Sequence, residues 1–275
     1  MEQARGFFTK FIELMKKPEL RILPGQLAFF LVLSLIPLIA LIGTIASALS
    51  VPVSTVTEMI ETTLPKEIVE IVATLMTAKG LNFNVTAFFI AAFILASNGS
   101  NSIIITADEI YKISTEGYLK RRIKAILMTL SLVGLFIFLL IVPVWGDTIF
   151  EIIKNSNPNN TYVEIIYKVF KLLQYPLTLL VLYYNIKLMY ITAPTNKISS
   201  KTTIKGSLFT TIGWILSSEI YSFYIVTFSK YNIFYGSISN VVILLLWVYI
   251  LSYIFVLGLI INAGEYTYKK STENT

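Results

Sequence analysis

The 275-residue sequence contains no cysteine and no histidine. The missing thiols exclude disulfides, iron–sulfur clusters and thiolate nucleophiles, and the missing imidazoles exclude histidine-bound zinc and histidine proton relays. A catalytic site would have to rest on carboxylates alone, and the sequence has no GxxxxGK[ST], HExxH or GxSxG motif. We therefore predict that the protein is not an enzyme, with no catalytic residues, no metal site and no cofactor.

Charged residues are also scarce, at 14% of the chain, whereas 55% of the residues are hydrophobic and the mean hydropathy is +0.73. This composition is typical of integral membrane proteins. The net charge of +6 could indicate nucleic-acid binding, but excess lysine and arginine in a membrane protein usually reflects topology and contact with anionic lipid. We expect the lipid bilayer to be the partner, with anionic lipid at its cytoplasmic face, and we expect no nucleic acid.

Apolar stretches divide the chain, and each is close to the ~20 residues that cross a hydrocarbon core about 30 Å thick. They predict one all-α integral membrane domain over residues 1–275, a helical bundle with spans at about 26–49, 85–105, 125–145, 172–191, 204–228 and 238–263. The last two spans form a hairpin whose second arm has no charged side chain. Two amphipathic segments complete the prediction, an interfacial helix at 5–17 and an extracytoplasmic segment at 54–79.

Basic residues are distributed unevenly between the two sides of this predicted bundle. Most of the 22 lysines and arginines fall in the N-terminal segment, the C-terminal tail and the loops that follow spans two and four. Because cytoplasmic loops are enriched in lysine and arginine, both termini are expected to face the cytoplasm.

Four polar side chains inside the predicted spans are candidates for a solute cavity. Asn98 and Asn101 share one face of span two, and Asn185 in span four lies at a similar depth, about 12 Å from the cytoplasmic helix ends. Asparagines in spans either line a cavity or join helices through hydrogen bonds, and both interpretations stay open. Glu219 lies in the outer half of span five, where it could titrate, bind a cation or hydrogen-bond a neighbouring helix.

Two other pairs of residues suggest structural roles. Asp108 and Glu109 are adjacent, so on a helix they point about 100° apart and do not form a catalytic pair. Helix capping or a surface position is expected for both. Gly206 and Gly213 share one face of span five, where small residues allow close contact with another helix.

The hairpin carries a pattern of aromatic and small residues that is specific enough to suggest a family. Its members are Gly206, Trp214, Tyr224, Tyr231, Tyr235–Gly236–Ser237, Trp247, Gly258 and Asn262–Ala263. The first span adds the run LAFFLVLSLIPL at residues 27–38. This pattern resembles the YihY/BrkB family of bacterial inner-membrane proteins over nearly the whole chain. The resemblance implies six spans and a location in the bacterial plasma membrane.

One position departs from the family pattern. The family's last span usually ends in GxExNA, and here Ile260 stands where the family has its acid. A mechanism that depends on that acid therefore does not carry over to this chain. Glu219 does not replace it, because the two positions differ in depth along the bundle.

Three functional hypotheses follow from these observations. The leading one is a permease-like protein or exporter of an unidentified small solute, with a cavity lined by Asn98, Asn101, Asn185 and Glu219. The second is a membrane protein that transports nothing and organises lipid or partner proteins through its amphipathic segments. The third is a membrane-bound nuclease, since the resembling family was once labelled a ribonuclease, although no residues here support that activity.

Overall fold

The computed structural model of the protein describes residues 22–32, 83–114, 117–139, 142, 146, 150, 161–228 and 237–273. Within these ranges the chain is helical and contains no strand, which confirms the predicted all-α class. The interfacial helix predicted at 5–17 and the amphipathic segment predicted at 54–79 lie outside the described residues. Most of the first predicted span lies outside them as well.

Six helices can be followed in the described ranges: α1 at Ile22–Val32, α2 at Phe83–Tyr111, α3 at Tyr118–Leu139, α4 at Thr161–Thr192, α5 at Ile204–Phe228 and α6 at Ser237–Glu273. The bounds of α5 coincide with the fifth predicted span. α4 begins well before the fourth span, because Lys168 and Lys171 interrupt the apolar run but are good helix formers. The number of membrane crossings stays a prediction.

Two of these helices are long and apolar enough, by length and composition, to cross a membrane: Tyr162–Thr192 within α4 and Val242–Tyr266 within α6. Large apolar side chains are also exposed along α3, α4 and α5. On α5 they recur every four residues, at Leu208, Ile212, Leu216 and Ile220. Apolar surface of this extent is typical of helices that face lipid.

Helices α2 to α6 form a ring in which each helix packs against its neighbour in sequence, and α6 closes the ring against α2. The most deeply buried side chains form one apolar cluster to which α1, α2, α3, α4 and α6 contribute. Six of its large members are at most 2% exposed: Leu27, Ile104, Ile186, Tyr190, Phe255 and Ile260. Ile260, at the position of the family's acid, is therefore an apolar core residue.

Glycines bring α5 and α6 into close contact. A Cβ at Gly206 would overlap the Gly258 carbonyl oxygen and the Asn262 side chain, and one at Gly213 would lie 2.7 Å from Ile254 Cγ2. In the space left at Gly206, Asn262 Oδ1 accepts a hydrogen bond of 2.9 Å from the Gly206 N–H. The packing role predicted for Gly206 and Gly213 is confirmed.

Gly258 makes room for a buried hydroxyl cluster between α4, α5 and α6. The Tyr190 hydroxyl lies 2.6 Å from Thr210 Oγ1 and donates to the Phe255 carbonyl at 2.8 Å. A Cβ at Gly258 would overlap both hydroxyls. Gly258, a residue of the family pattern, is thus required because Tyr190 of α4 approaches the backbone of α6 at this position.

Described lysines and arginines gather at one end of the ring, around the α2–α3 and α4–α5 connections, and we call it the basic end. The end of α2, the start of α3, the end of α4, the start of α5 and the last part of α6 meet there. Lys205 forms a 2.7 Å ion pair with Glu265, and the ring of Tyr111 packs edge-on against Tyr266 with the centroids 5.8 Å apart. The cationic side chains at this end are Lys112, Lys120, Arg121, Arg122, Lys124, Lys197, Lys201 and Lys205.

Candidate functional site

A cavity of about 420 Å³ opens at the basic end between α3, α4 and the loop that follows α4. One wall is a single face of α3, because its residues follow the helical spacing: Lys124, Leu127, Met128 and Ser131. The other wall is formed by Leu188, Met189, Ile191 and Thr192 of α4 and by residues 194–197. We call this cavity the α3–α4 cleft.

A buried carboxylate holds the loop that forms the rim of the cleft. Asp108 is fully buried and accepts two hydrogen bonds from Thr195, at 2.7 Å from the backbone N–H and at 2.8 Å from the hydroxyl. From the other side, Lys124 donates to the Pro194 carbonyl at 2.7 Å. Contacts from α2 and α3 therefore fix the same short loop at the end of α4.

The expectation of a capping or surface position is wrong for Asp108, whereas Glu109 is exposed. Asp108 can be buried because Thr195 supplies an N–H and an O–H side by side, so both carboxylate oxygens are paired. The backbone also stabilises this position. Lys112 adopts a left-handed backbone conformation (φ 54°) at the end of α2. The Ile113 N–H then donates a hydrogen bond of 2.9 Å to the Asp108 carbonyl oxygen.

Asn185 lies behind the deep end of the cleft. Its Nδ2 donates to the Ser131 hydroxyl at 3.0 Å and to the Ser131 carbonyl at 3.1 Å, and Ser131 lines the cleft. Its Oδ1 is buried and has no hydrogen-bond partner in the described part of the chain. A buried acceptor without a partner beside a cavity is a position where water or a ligand donor can bind.

Asn98 contacts the opposite face of α3. Arg122 donates to Asn98 Oδ1 and to the Ile94 carbonyl, both at 2.8 Å. Since Arg122 and Lys124 are two residues apart, they point about 200° apart around the helix. The helix α3 therefore separates Asn98 from the cleft. Asn101, next on the same face of α2, is partly exposed and makes no hydrogen bond within the described ranges.

Glu219 is exposed on α5, beside the apolar residue Ile220. It forms no hydrogen bond or ion pair with any residue that the structure describes. It lies about 20 Å along the helix from Gly206, and therefore far from the basic end. The structure thus does not bring Asn98, Asn101, Asn185 and Glu219 to one cavity among the described residues, and only Asn185 approaches the cleft, through Ser131.

Sequence reasoning missed the cleft residues Lys124, Ser131 and Lys197. The signal that could have found two of them is the spacing on α3, where a lysine and a serine lie at either end of one helical face with Leu127 and Met128 between. No comparable signal points to Lys197, which follows the end of α4.

A layer of buried hydroxyls continues from this region into the ring. The hydroxyls of Ser100 and Thr129 are 2.8 Å apart between α2 and α3. The hydroxyls of Ser102 and Thr106, which lie one turn apart on α2, are buried and have no hydrogen-bond partner in the described ranges. The same is true of Nδ2 of Asn262 on α6. Buried hydroxyl and amide groups therefore lie among the apolar core residues in this part of the ring.

Comparisons with known proteins agree with this picture of a membrane protein. The profile of the family described as Virulence factor BrkB matches residues 12–275. The ribonuclease-like protein YfkH of Bacillus subtilis (strain 168) is 30% identical over 250 residues, which cover 90% of each chain. A UPF0761 membrane protein of Aggregatibacter aphrophilus (strain NJ8700) is 36% identical over 69 residues, covering 25% of this chain and 24% of that relative. A UPF0761 membrane protein of Klebsiella pneumoniae (strain 342) is 34% identical over 90 residues, covering 32% of this chain and 31% of that relative.

No solved structure shows a significant match to the chain. The family profile nevertheless covers nearly the whole sequence, and close packing between α5 and α6 accounts for three residues of the pattern, Gly206, Gly258 and Asn262. The chain belongs to the BrkB (YihY) family of membrane proteins.

Proposed function

We propose that the chain is a multi-pass protein of the bacterial plasma membrane, with both termini in the cytoplasm, and that it is a permease or exporter of a small solute. The α3–α4 cleft carries the proposal, because it is a cavity of about 420 Å³ that opens at the basic end. The enrichment of cytoplasmic loops in lysine and arginine assigns that end to the cytoplasm. The cleft would then receive its solute from the cytoplasmic side.

Buried polar atoms without partners, one of them beside the cleft, support this proposal. The buried oxygen of Asn185 and the hydroxyls of Ser102 and Thr106 have no hydrogen-bond partner within the described residues. Buried polar atoms are nearly always paired, by protein, water or ligand, so the unpaired oxygen of Asn185, behind the lining residue Ser131, indicates a position that solvent or solute can reach. In membrane proteins, polar groups buried inside the helical bundle are candidates for a solute pathway.

Cysteine accessibility tests the proposal, because the natural chain has no cysteine and a single introduced thiol reacts without background. Ser131→Cys places the thiol at the deep end of the cleft. Leu130→Cys is the matched control, since Leu130 is the neighbouring residue on the exposed face of α3. Each variant is treated with a membrane-impermeant thiol reagent in inverted and in right-side-out membrane vesicles. We expect Ser131→Cys to react in both orientations and Leu130→Cys in neither, because a carrier exposes its cavity to each side in turn.

The outcomes separate the functional hypotheses. Reaction of Ser131→Cys in inverted vesicles only would overturn transport and favour the second hypothesis, a membrane protein that organises lipid or partners. Absence of reaction in both orientations would overturn the cleft itself. The variants Asn98→Leu, Asn101→Leu and Glu219→Gln, combined with Ser131→Cys, test the remaining candidates, and unchanged reactivity would remove each from the pathway. The proposal assigns no catalytic chemistry, so metal-dependent RNA cleavage by the purified protein would contradict it.

A further inference from the structure

The α3–α4 cleft joins a basic rim to an apolar wall, and this combination specifies the class of its occupant. We infer that the cleft binds an anionic phospholipid, with the phosphate at Lys197 and the start of an acyl chain along Leu127 and Leu188. The inference rests on the proposed function and deepens it, because it names the chemical class that the same cleft receives.

The charge at the rim complements a phosphate group. Lys197 is exposed and forms no ion pair with any described residue, and Lys124 is a second cation in the lining. The carboxylate that reaches this loop, Asp108, already accepts two hydrogen bonds from Thr195. Since no described carboxylate forms an ion pair with the ammonium group of Lys197, a phosphate would supply its counterion.

The apolar wall of the cleft continues onto the surface that faces lipid. Leu127 and Leu188 both line the cleft, yet they are 60% and 46% exposed. On the same helices the neighbouring apolar side chains Leu130 and Tyr184 are exposed as well. The cleft is therefore open sideways toward the acyl chains of the bilayer. A hydrophilic anion would bind at the lysine without needing this wall, whereas an amphiphile uses both parts.

The depths of the two parts match the structure of a bilayer leaflet. Lys197 lies in the loop beyond the end of α4, where lipid headgroups would lie if the apolar part of α4 crosses the hydrocarbon core. On the facing wall, Ser131 lies about 10 Å deeper along α3 than Lys124. The cavity volume of about 420 Å³ falls within the range of roughly 300–1,000 Å³ that is typical of ligand sites. It can hold a headgroup and the first part of a chain, while the remainder of the chain stays in the bilayer.

Native mass spectrometry of the full-length protein in detergent tests this inference by measuring the affinity for phosphatidylglycerol, which is anionic, and for phosphatidylcholine, which is zwitterionic. Lys197→Gln removes the proposed phosphate contact. Lys201→Gln is the matched control, since Lys201 is an exposed lysine of the same loop that does not line the cleft. We expect Lys197→Gln to weaken phosphatidylglycerol binding about five-fold, with little change for phosphatidylcholine or in Lys201→Gln.

A second matched pair tests the acyl-chain contact. Leu188 and Leu180 are both exposed leucines of α4, but only Leu188 lines the cleft. We expect Leu188→Ala to weaken phosphatidylglycerol binding several-fold, because apolar contact area is lost, and Leu180→Ala to leave it unchanged.

Three results would overturn the lipid assignment: equal affinity for the two lipids, equal effects of Lys197→Gln and Lys201→Gln, or displacement of phosphatidylglycerol by millimolar inorganic phosphate. The last result would assign the rim to a soluble phosphate compound. Failure here is distinct from failure of the proposed function. If Ser131→Cys reacts from both sides without specific lipid binding, only the lipid assignment falls. If lipid binds specifically but Ser131→Cys reacts from one side, transport falls and the lipid site stands.

Discussion

Replacing Asp108 by alanine tests whether one buried carboxylate holds the rim of the α3–α4 cleft. The substitution removes both acceptors of Thr195, whose N–H and O–H donate at 2.7 and 2.8 Å. A hydrogen bond to a charged group contributes about 1.5–3 kcal/mol, and Asp108 is fully buried, so water does not replace the lost acceptors easily. We expect Asp108→Ala to lower the free energy of unfolding by about 3–5 kcal/mol. The measurement is denaturant unfolding in detergent micelles, with limited proteolysis of the loop after α4 as a local readout.

Companion variants isolate the contact. Thr195→Val removes only the hydroxyl donor and should cost about 1.5–3 kcal/mol, while Thr195→Ser keeps both donors and should be close to neutral. Glu109→Ala, at the exposed neighbour of Asp108, should stay within about 0.5 kcal/mol of the wild-type chain. Because Asp108 and Thr195 share the same bonds, the double variant Asp108→Ala/Thr195→Val should cost less than the sum of the single ones. The reasoning is refuted if Asp108→Ala unfolds like Glu109→Ala, or if the loop becomes no easier to cleave.

Two further predictions concern backbone positions. Gly258→Ala should lower the free energy of unfolding by about 1–3 kcal/mol, because the new methyl group overlaps the hydroxyls of Thr210 and Tyr190. Gly264→Ala is the control, and it should be neutral or slightly stabilising because Gly264 has open space around it. Equal melting temperatures of the two variants in detergent would contradict the proposed close contact. Lys112→Gly should raise the free energy of unfolding by about 0.5–1 kcal/mol in the same assay, since glycine adopts φ 54° without the strain of a side chain. A destabilised variant would contradict this and show that the lysine side chain itself stabilises the end of α2.

Much of the fold could be predicted from the sequence, because burial in a bilayer imposes long apolar runs that are visible in one dimension. The helix at Ile204–Phe228 coincides with its predicted span, and the glycines at 206 and 213 pack as their spacing indicates. The helix α4 begins before the span predicted at 172–191, since hydropathy indicates the apolar part of a helix and not the helical residues that extend beyond it.

The candidate site was predicted less well, because polarity inside a span does not reveal which neighbour a side chain meets. Asn98 and Asn185 lie at similar predicted depth, yet one contacts Arg122 and the other contacts Ser131, on opposite faces of α3. Glu219, expected to face the interior or a cavity, is exposed. Depth follows from the position of a residue along the chain, whereas the direction of its side chain depends on how the helices pack.

The sequence by itself determined the class of this protein, its helical and apolar character and its family. Composition, periodicity and a local residue pattern can all be seen in the order of residues along the chain. Only the tertiary structure placed Asp108 against Thr195, which is 87 residues away, and closed a cleft between α3 and α4 with Lys197 at its rim. The physical reason is that these contacts join residues from different helices, and their partners are decided by packing rather than by neighbours along the chain.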